Sequence, residues 1–291
     1  MTFCFVYNAH FRGGIGVVAD RRLTSVTEFG DVLFESDEAQ KIVNFDKSFG
    51  MVLAGNFALI QRLVNGLEGA LSSGSPAGRL DRVCTTLREN YNACIRDEAH
   101  LRDPSINASL ICFDTRHNRG RQIYRIRKFV AYFDQEVGKF RAGWASRSRA
   151  DWEAIGGTQD IQARLAFVAR HDLAEAYHKG GSVELVSQDT IAKLSARYDV
   201  KSDPFIFQID STTGERLHKS FDNFRRKFGP LQYDYVDYLN TVASNAIQYE
   251  IQLMHERHEP FSDTISQSLH VARFIAGEGV TISSLSPNKG L

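Results

Sequence analysis

Four short runs of apolar and β-branched residues open the chain, and they fix most of what it can fold into. Thr2 to Tyr7 and Ile15 to Asp20 flank the turn-forming stretch Asn8 to Gly14, and Lys41 to Phe45 and Phe49 to Ala54 flank Asp46-Lys47-Ser48. Runs of this length bounded by Gly, Asn and Asp read as strands, and two close pairs read as two antiparallel hairpins. Asn56 to Leu71 and Gly78 to His100 then carry apolar residues at helical spacing, with Ser72 to Gly78 a loop by composition. Strands resume at Ala108 to Phe113, Gln122 to Arg127, Phe129 to Phe133 and Phe140 to Trp144. Leu231 to Arg257 is a long amphipathic segment with helical period, and His270 to Ser284 reads as a closing hairpin. This order predicts an α+β protein in which a sandwich of sheets is covered by helices.

Composition removes several function classes. The 291 residues are 43% hydrophobic and 24% charged with zero formal net charge, which fits a globular enzyme subunit and predicts no strong field for nucleic acid or an acidic membrane. No apolar run reaches the roughly 18–20 residues of a membrane span, and the start leads into a strand rather than a signal peptide, so a cytoplasmic location is expected. Cys4, Cys84, Cys94 and Cys112 have neither paired metal spacing nor the density of a disulfide scaffold, and read as thiols in a reducing compartment. His255-Glu-Arg-His258-Glu lacks the spacing of a zinc helix and reads as a solvated helix end. No metal or cofactor is expected. The basic Phe224-Arg-Arg-Lys-Phe reads as a solvated face. The phosphate-cradling Gly-x-x-x-x-Gly-Lys-Ser/Thr pattern is absent.

The chemistry is concentrated near the start. Thr2 is small enough for Met1 to be trimmed, which leaves a hydroxyl and a free α-amine on one residue, nucleophile and base together. A lysine nearby would hold that amine neutral by like-charge repulsion, an aspartate would orient the lysine, and a backbone N–H beside a small residue would receive the oxyanion. Asp20, Lys41 and Gly55 fit those roles. Taken singly, Asp20 after a strand is a turn former, Ala54-Gly55 a point of close packing, and Lys41 a surface residue. Their joint occurrence with Thr2 is what points to a site. Cys4 as a rival N-terminal nucleophile would require removal of Met1 to Phe3, a cut with no evident cause.

The string Gly16-Val-Val-Ala-Asp20-Arg-Arg22-Leu-Thr24, followed by Lys41-Ile-Val-Asn-Phe-Asp and Gly50-Met-Val-Leu-Ala-Gly55-Asn, resembles the catalytic β-subunits of the proteasome and the related bacterial HslV and Anbu peptidases. The resemblance implies a four-layer αββα sandwich, the N-terminal-nucleophile hydrolase fold, over a single domain 1–291. It implies a threonine-type endopeptidase with Thr2 as nucleophile, Asp20, Lys41 and Gly55 in the roles above, and Asp263 and Ser266 as contacts of the α-amine. The family's supporting serine has no strict counterpart: Gly157 occupies its slot, with Thr158 next to it and Ser211 as a third candidate. The pocket positions for the substrate side chain fall on Leu23, Thr24, Ala39, Val43, Leu53 and Phe57. Relative to short members, residues 172–229 read as an insertion, a lobe for neighbouring subunits, and Ser25 to Gln40 as an enlarged loop over the cleft. The implied partners are an unfolded polypeptide or peptide substrate, further copies in a ring or helical assembly, and a separate ATPase unfoldase, with no nucleic acid and no membrane. Two other readings stay open at this point: a non-catalytic ring subunit, and an amidohydrolase acting on a small amide.

Overall fold

In the computed structural model of the protein, the described residues are 3–8, 14–26, 32–118, 121–146, 152–156 and 268–285, with the single positions 240, 244, 248, 251, 255, 256 and 266. They form two five-stranded antiparallel sheets. Strands β1 (Cys4–Asn8) and β2 (Ile15–Asp20) make the first hairpin, as the sequence predicts. Strands β3 (Leu23–Val26) and β4 (Val32–Ser36) make a two-stranded ribbon, and β5 (Ile42–Asp46) and β6 (Phe49–Gly55) begin the second sheet. Helices α1 (Phe57–Val64), α2 (Leu67–Ser72) and α3 (Arg79–Asp97) follow. Then come β7 (Ala108–Asn118), β8 (Arg121–Asp134), β9 (Lys139–Trp144), β10 (Trp152–Ile155), β11 (Leu269–Ile275) and β12 (Gly279–Leu285). The first sheet runs β10-β1-β2-β11-β12 and the second β5-β6-β7-β8-β9. The C-terminal hairpin thus docks on β2, with Leu269 opposite Asp20 and His270 opposite Ala19.

Strands β1, β2 and β6 read as nearly unbroken apolar runs because both of their faces are covered. All six residues of β2 are buried. Cys4, Val6, Ile15, Val17, Ala19, Ala272 and Phe274 of the first sheet pack against Ile42, Val52, Ala54, Ile111, Phe113 and Ile126 of the second. The opposite face of the second sheet, with Met51, Leu110, Cys112 and Phe129, meets Leu59, Leu63, Leu67, Val83, Leu87 and Tyr91 of the helices. Asn240, Ser244, Gln248, Ile251, His255 and Glu256 are helical. Asn240 ties that helical segment to the first sheet: its Oδ1 accepts from Tyr7 Oη at 2.8 Å and its Nδ2 donates to the Ala272 carbonyl at 2.9 Å.

Several details depart from the sequence reading. The helical stretch 56–71 breaks in two at Gly66, whose φ of 73° is left-handed and free of steric cost only for glycine. Residues 122–133 form one long strand, β8, because β7 pairs with it without interruption. Within the stretch read as an enlarged loop, 25–40, the described residues 25–26 and 32–36 belong to the ribbon of β3 and β4, whose pairing satisfies backbone groups an open loop would leave to water. The loop at 72–78 contains a 3-10 turn, Pro76–Gly78, whose carbonyls at Pro76 and Ala77 accept from Arg125 at 2.9 Å each. The insertion at 172–229, Gly157, Thr158, Ser211 and the basic cluster at 224–228 lie outside the described residues. Among the described residues no helix is long and apolar enough to cross a membrane, and no group of three or more His, Cys, Asp or Glu side chains could hold a metal ion.

One packing constraint is directly testable. Gly16 stands opposite Tyr7, and a Cβ there would overlap the Tyr7 ring and hydroxyl. Gly16→Ala should therefore displace the ring that Asn240 holds and lower stability by about 1–3 kcal/mol, the usual cost of overpacking. The measurement is a fall in the urea midpoint at unchanged slope.

Candidate active site

The site grows from the end of β2. Asp20 is fully buried, and its backbone N–H donates to the Phe3 carbonyl at 2.9 Å while Phe3 N–H donates to its Oδ2 at 2.5 Å. Oδ1 accepts from Arg22 N–H at 2.9 Å, the short-range turn bond that aspartate forms readily. Lys41 Nζ donates to both carboxylate oxygens, at 2.9 and 3.0 Å. Lys41 immediately precedes β5 of the second sheet, and its carbonyl accepts from Leu53 N–H at 2.9 Å. The ion pair therefore spans the two sheets. A buried carboxylate is tolerable when its lone pairs are filled, and here four hydrogen bonds fill them.

A second pair lies beside the first. Arg22 Nε and Nη2 donate to the two oxygens of Asp37, at 2.9 and 3.0 Å, and Ala39 N–H donates to the Arg21 carbonyl at 2.9 Å. The Arg22 hydrogen bonds hold the Asp37 carboxyl below its usual range against the opposing effect of burial; the Ser266 hydroxyl and the charges of Arg22 and Arg21 act in the same direction as those bonds. Ser266 is buried, and its Oγ accepts from Ser268 N–H at 3.0 Å. Ser266 is a candidate from the sequence, but its place in a network with Arg22 and Asp37 was not anticipated. Its partners are far apart along the chain and follow no periodic pattern, and only the doubled arginine after Asp20 hints at it.

Gly55 ends β6, two residues beyond Leu53 and thus about 7 Å along the strand at its rise per residue. Its φ is +118°, and a Cβ there would overlap the Asn107 carbonyl oxygen and lie 2.7 Å from Ala108 Cα, so only glycine fits. Asn56 then caps α1, accepting from Leu59 N–H at 3.0 Å. Of the pocket positions, Leu23, Thr24, Ala39, Val43 and Leu53 are half-buried, and Phe57, the first residue of α1, is 59% exposed. Leu53 packs against the helix-side core. Thr2 and Asp263 lie outside the described residues.

Two further groups line the junction. Cys4 faces the second sheet and is fully buried; burial pushes its thiol far up, with Lys41 opposing and Asp20 reinforcing. A thiol held protonated is a poor nucleophile, which argues against Cys4 as the reacting group. His270, 7% exposed, is held below its usual range by burial and then by the charges of Arg21 and Lys41. Its Nδ1 is buried, with no hydrogen-bond partner among the described residues.

No protein-family model matches the chain, and no curated protein matches it in sequence. Among solved structures, the chain is similar to Anbu (ancestral beta-subunit) from Yersinia bercovieri, with 12% identity and a TM-score of 0.44 over 99% of this chain and 89% of that one. It is also similar to Anbu from Hyphomicrobium sp. strain MC1, with 14% identity and a TM-score of 0.43 over 99% of this chain and 89% of that one. Likeness at this level transfers no residue roles, and the candidate site rests on the geometry around Asp20 and Lys41.

Two outcomes test that geometry. Asp20→Asn strands a buried ammonium and should cost about 3–5 kcal/mol of stability, whereas Asp20→Asn with Lys41→Met should cost less than the sum of the single changes. Chemical denaturation of the four proteins reads the coupling. Because His270 titrates lower in the folded than in the unfolded chain, the stability it contributes is complete above its unfolded value of about 6.5 and is lost as pH falls from there through its folded value. His270→Phe should flatten the stability profile in that window.

Proposed function

We propose that the chain is a threonine peptidase of the proteasome-like kind, built as a four-layer αββα sandwich and acting on unfolded polypeptide through an acyl-enzyme on Thr2. The observation that carries this reading is the buried Lys41–Asp20 pair, whose carboxylate also holds the N–H of Phe3 at 2.5 Å. Phe3 is joined directly to Thr2, and consecutive Cα atoms lie about 3.8 Å apart. The residue proposed as nucleophile is therefore tethered to the residue that the pair grips.

In this mechanism removal of Met1 frees the Thr2 α-amine. The positive charge of Lys41 favours the neutral amine, and Asp20 orients Lys41. The amine takes the proton of the Thr2 hydroxyl as its oxygen attacks the scissile carbonyl, and the Gly55 N–H receives the oxyanion. Collapse breaks the C–N bond, the amine passes the proton to the leaving nitrogen, and Thr2 is left as an ester. Water, deprotonated by the same amine, hydrolyses the ester and restores the hydroxyl. Asp263 and Ser266 are assigned to contact the amine.

The proposed pocket of Leu23, Thr24, Ala39, Val43, Leu53 and Phe57 is largely apolar, and an unpaired charge buried there would cost several kcal/mol where an aliphatic side chain gains about 1.5–3. We assign the working form to a symmetric homo-oligomer, a ring or an open helix, with the cleft facing an inner space. An unfoldase ATPase would be a separate protein.

Active protein should begin at Thr2 by intact mass and N-terminal sequencing, and Thr2→Ala should abolish turnover of fluorogenic peptides while leaving the fold intact. Lys41→Ala and Asp20→Asn should each lower kcat/KM by orders of magnitude, with a double variant little worse than either, because they act as one unit. Turnover by protein that retains Met1 would overturn the mechanism. Peptides with medium apolar side chains before the scissile bond should be cleaved faster than those with Lys, Arg, Asp or Glu. Phe57→Ala should shift preference to larger groups, within the roughly 1–3 kcal/mol that a pocket discriminates per methylene or two. Sedimentation of a fully active monomer would remove the assembly from the proposal.

A further inference from the structure

Among the described residues, one cation where the two sheets meet is left without an ion pair. Lys41 is paired with Asp20 and Arg22 with Asp37. Arg21 is a third cation between these pairs in sequence, and among the described residues it forms no ion pair. Its Nε is buried and has no hydrogen-bond partner there.

The neighbouring side chain is equally unfinished. His270 is more than nine-tenths buried, and its Nδ1 has no partner among the described residues. The register puts His270 opposite Ala19, two residues before Arg21, and after burial the Arg21 charge is the next influence on the imidazole. Buried donors and acceptors are nearly always satisfied in folded proteins. Two nearby side chains that each leave a buried nitrogen unpaired share an unmet demand for a hydrogen-bonding partner.

The chemistry of that partner follows from the guanidinium. An arginine presents its Nε–H and a neighbouring Nη–H as a parallel pair that matches the two oxygens of a carboxylate. Arg22 uses this edge on Asp37. Arg21, the preceding residue, has the Nε of the same edge unused.

We infer that Arg21 and His270 form a binding site for a carboxylate of a bound ligand, with the Nε edge of Arg21 taking both oxygens and His270 Nδ1 donating to one of them. The site borders the Asp20–Lys41 pair, and the carboxylate comes either from an acidic side chain of a bound peptide or from its C-terminus. Carboxylate binding also draws a proton onto His270, because a new negative charge offsets the two cations that oppose its protonation. Binding requires no hydrolytic step, so the site is independent of the peptidase reading.

The test is isothermal titration of the full-length Thr2→Ala protein at fixed ionic strength. Three tripeptides capped by N-acetylation serve as probes: Ala-Ala-Glu amide, Ala-Ala-Gln amide and Ala-Ala-Ala with a free C-terminus. At least one acid should bind about tenfold or more tightly than the glutamine amide, the gain expected of a charge-assisted bidentate contact. The glutamate peptide assigns the site to a side chain and the free acid to a chain terminus. Arg21→Gln should erase the preference, Arg21→Lys should keep part of it, and His270→Phe should weaken it several-fold and remove the proton uptake read from buffers of different ionisation enthalpy. Equal binding of acid and amide, no binding of either acid, or a preference unchanged in Arg21→Lys and Arg21→Gln would overturn the inference. If Arg21→Gln does not fold, Arg21→Lys and His270→Phe decide it. A protein that binds the acids yet cleaves no peptide when Thr2 is intact would sink the peptidase reading and leave the site standing.

Discussion

The Asp20–Lys41 pair is the contact on which the geometry of the site depends, because it joins the end of one sheet to the beginning of the other. Asp20 closes β2 in the first sheet and Lys41 leads into β5 of the second, and both are buried. Two charges removed from water are tolerable only with close geometry and filled hydrogen-bonding capacity. The Asp20 carboxylate meets that condition through Lys41 and the N–H groups of Phe3 and Arg22. The same bonds fix the start of β1 and the exit from β2, so the pair sets the position of the chain on both sides of it.

Away from this junction, the second sheet acts as the platform. One of its faces meets the first sheet and the other meets the helices. A second buried pair, Arg125 with Asp114, clamps the turn before α3 to that platform, because Arg125 also donates to the carbonyls of Pro76 and Ala77. Burial pushes the Asp114 carboxyl up and Arg125 draws it back down. Arg79 adds a further tie at the start of α3, donating to the carbonyl and hydroxyl of Ser48 at the turn between β5 and β6. These contacts brace the sheet that carries Lys41 and Gly55 without touching either.

Strands β1, β2 and β6 were legible in the sequence for a physical reason: residues covered on both faces must be apolar almost throughout, and β-branched chains suit that setting; the short edge strand β10 was not read as one. Lys41 and Asp20 were legible as well, because they are charged residues interrupting or ending such runs. The ribbon of β3 and β4 was not, since Thr24, Ser25, Glu28 and Asp31 break any alternation that would mark a strand. The helix break at Asn65 and Gly66 was missed because the apolar spacing continues through it, and only the backbone, extended at Asn65 and left-handed at Gly66, separates the two helices. Arg22, Asp37, Arg21 and His270 form contacts set by tertiary position, which no local pattern encodes. Thr2 and Asp263 rest on the pattern of the sequence alone.

What unites the junction is that burial drives its unpaired groups toward neutrality. The Cys4 thiol is held protonated and the His270 imidazole deprotonated, in both cases first by removal from water. Neighbouring positive charge then separates the two: Lys41 favours the thiolate of Cys4 but further disfavours the imidazolium of His270. An α-amine brought beside Lys41 would behave as His270 does, since it too is a base that becomes cationic on protonation. Burial and the charges of Lys41 and Arg21 would both favour its free-base form. That form is the one able to accept the proton of a threonine hydroxyl, so the environment that disqualifies Cys4 as a nucleophile is the one suited to an N-terminal amine acting as a base.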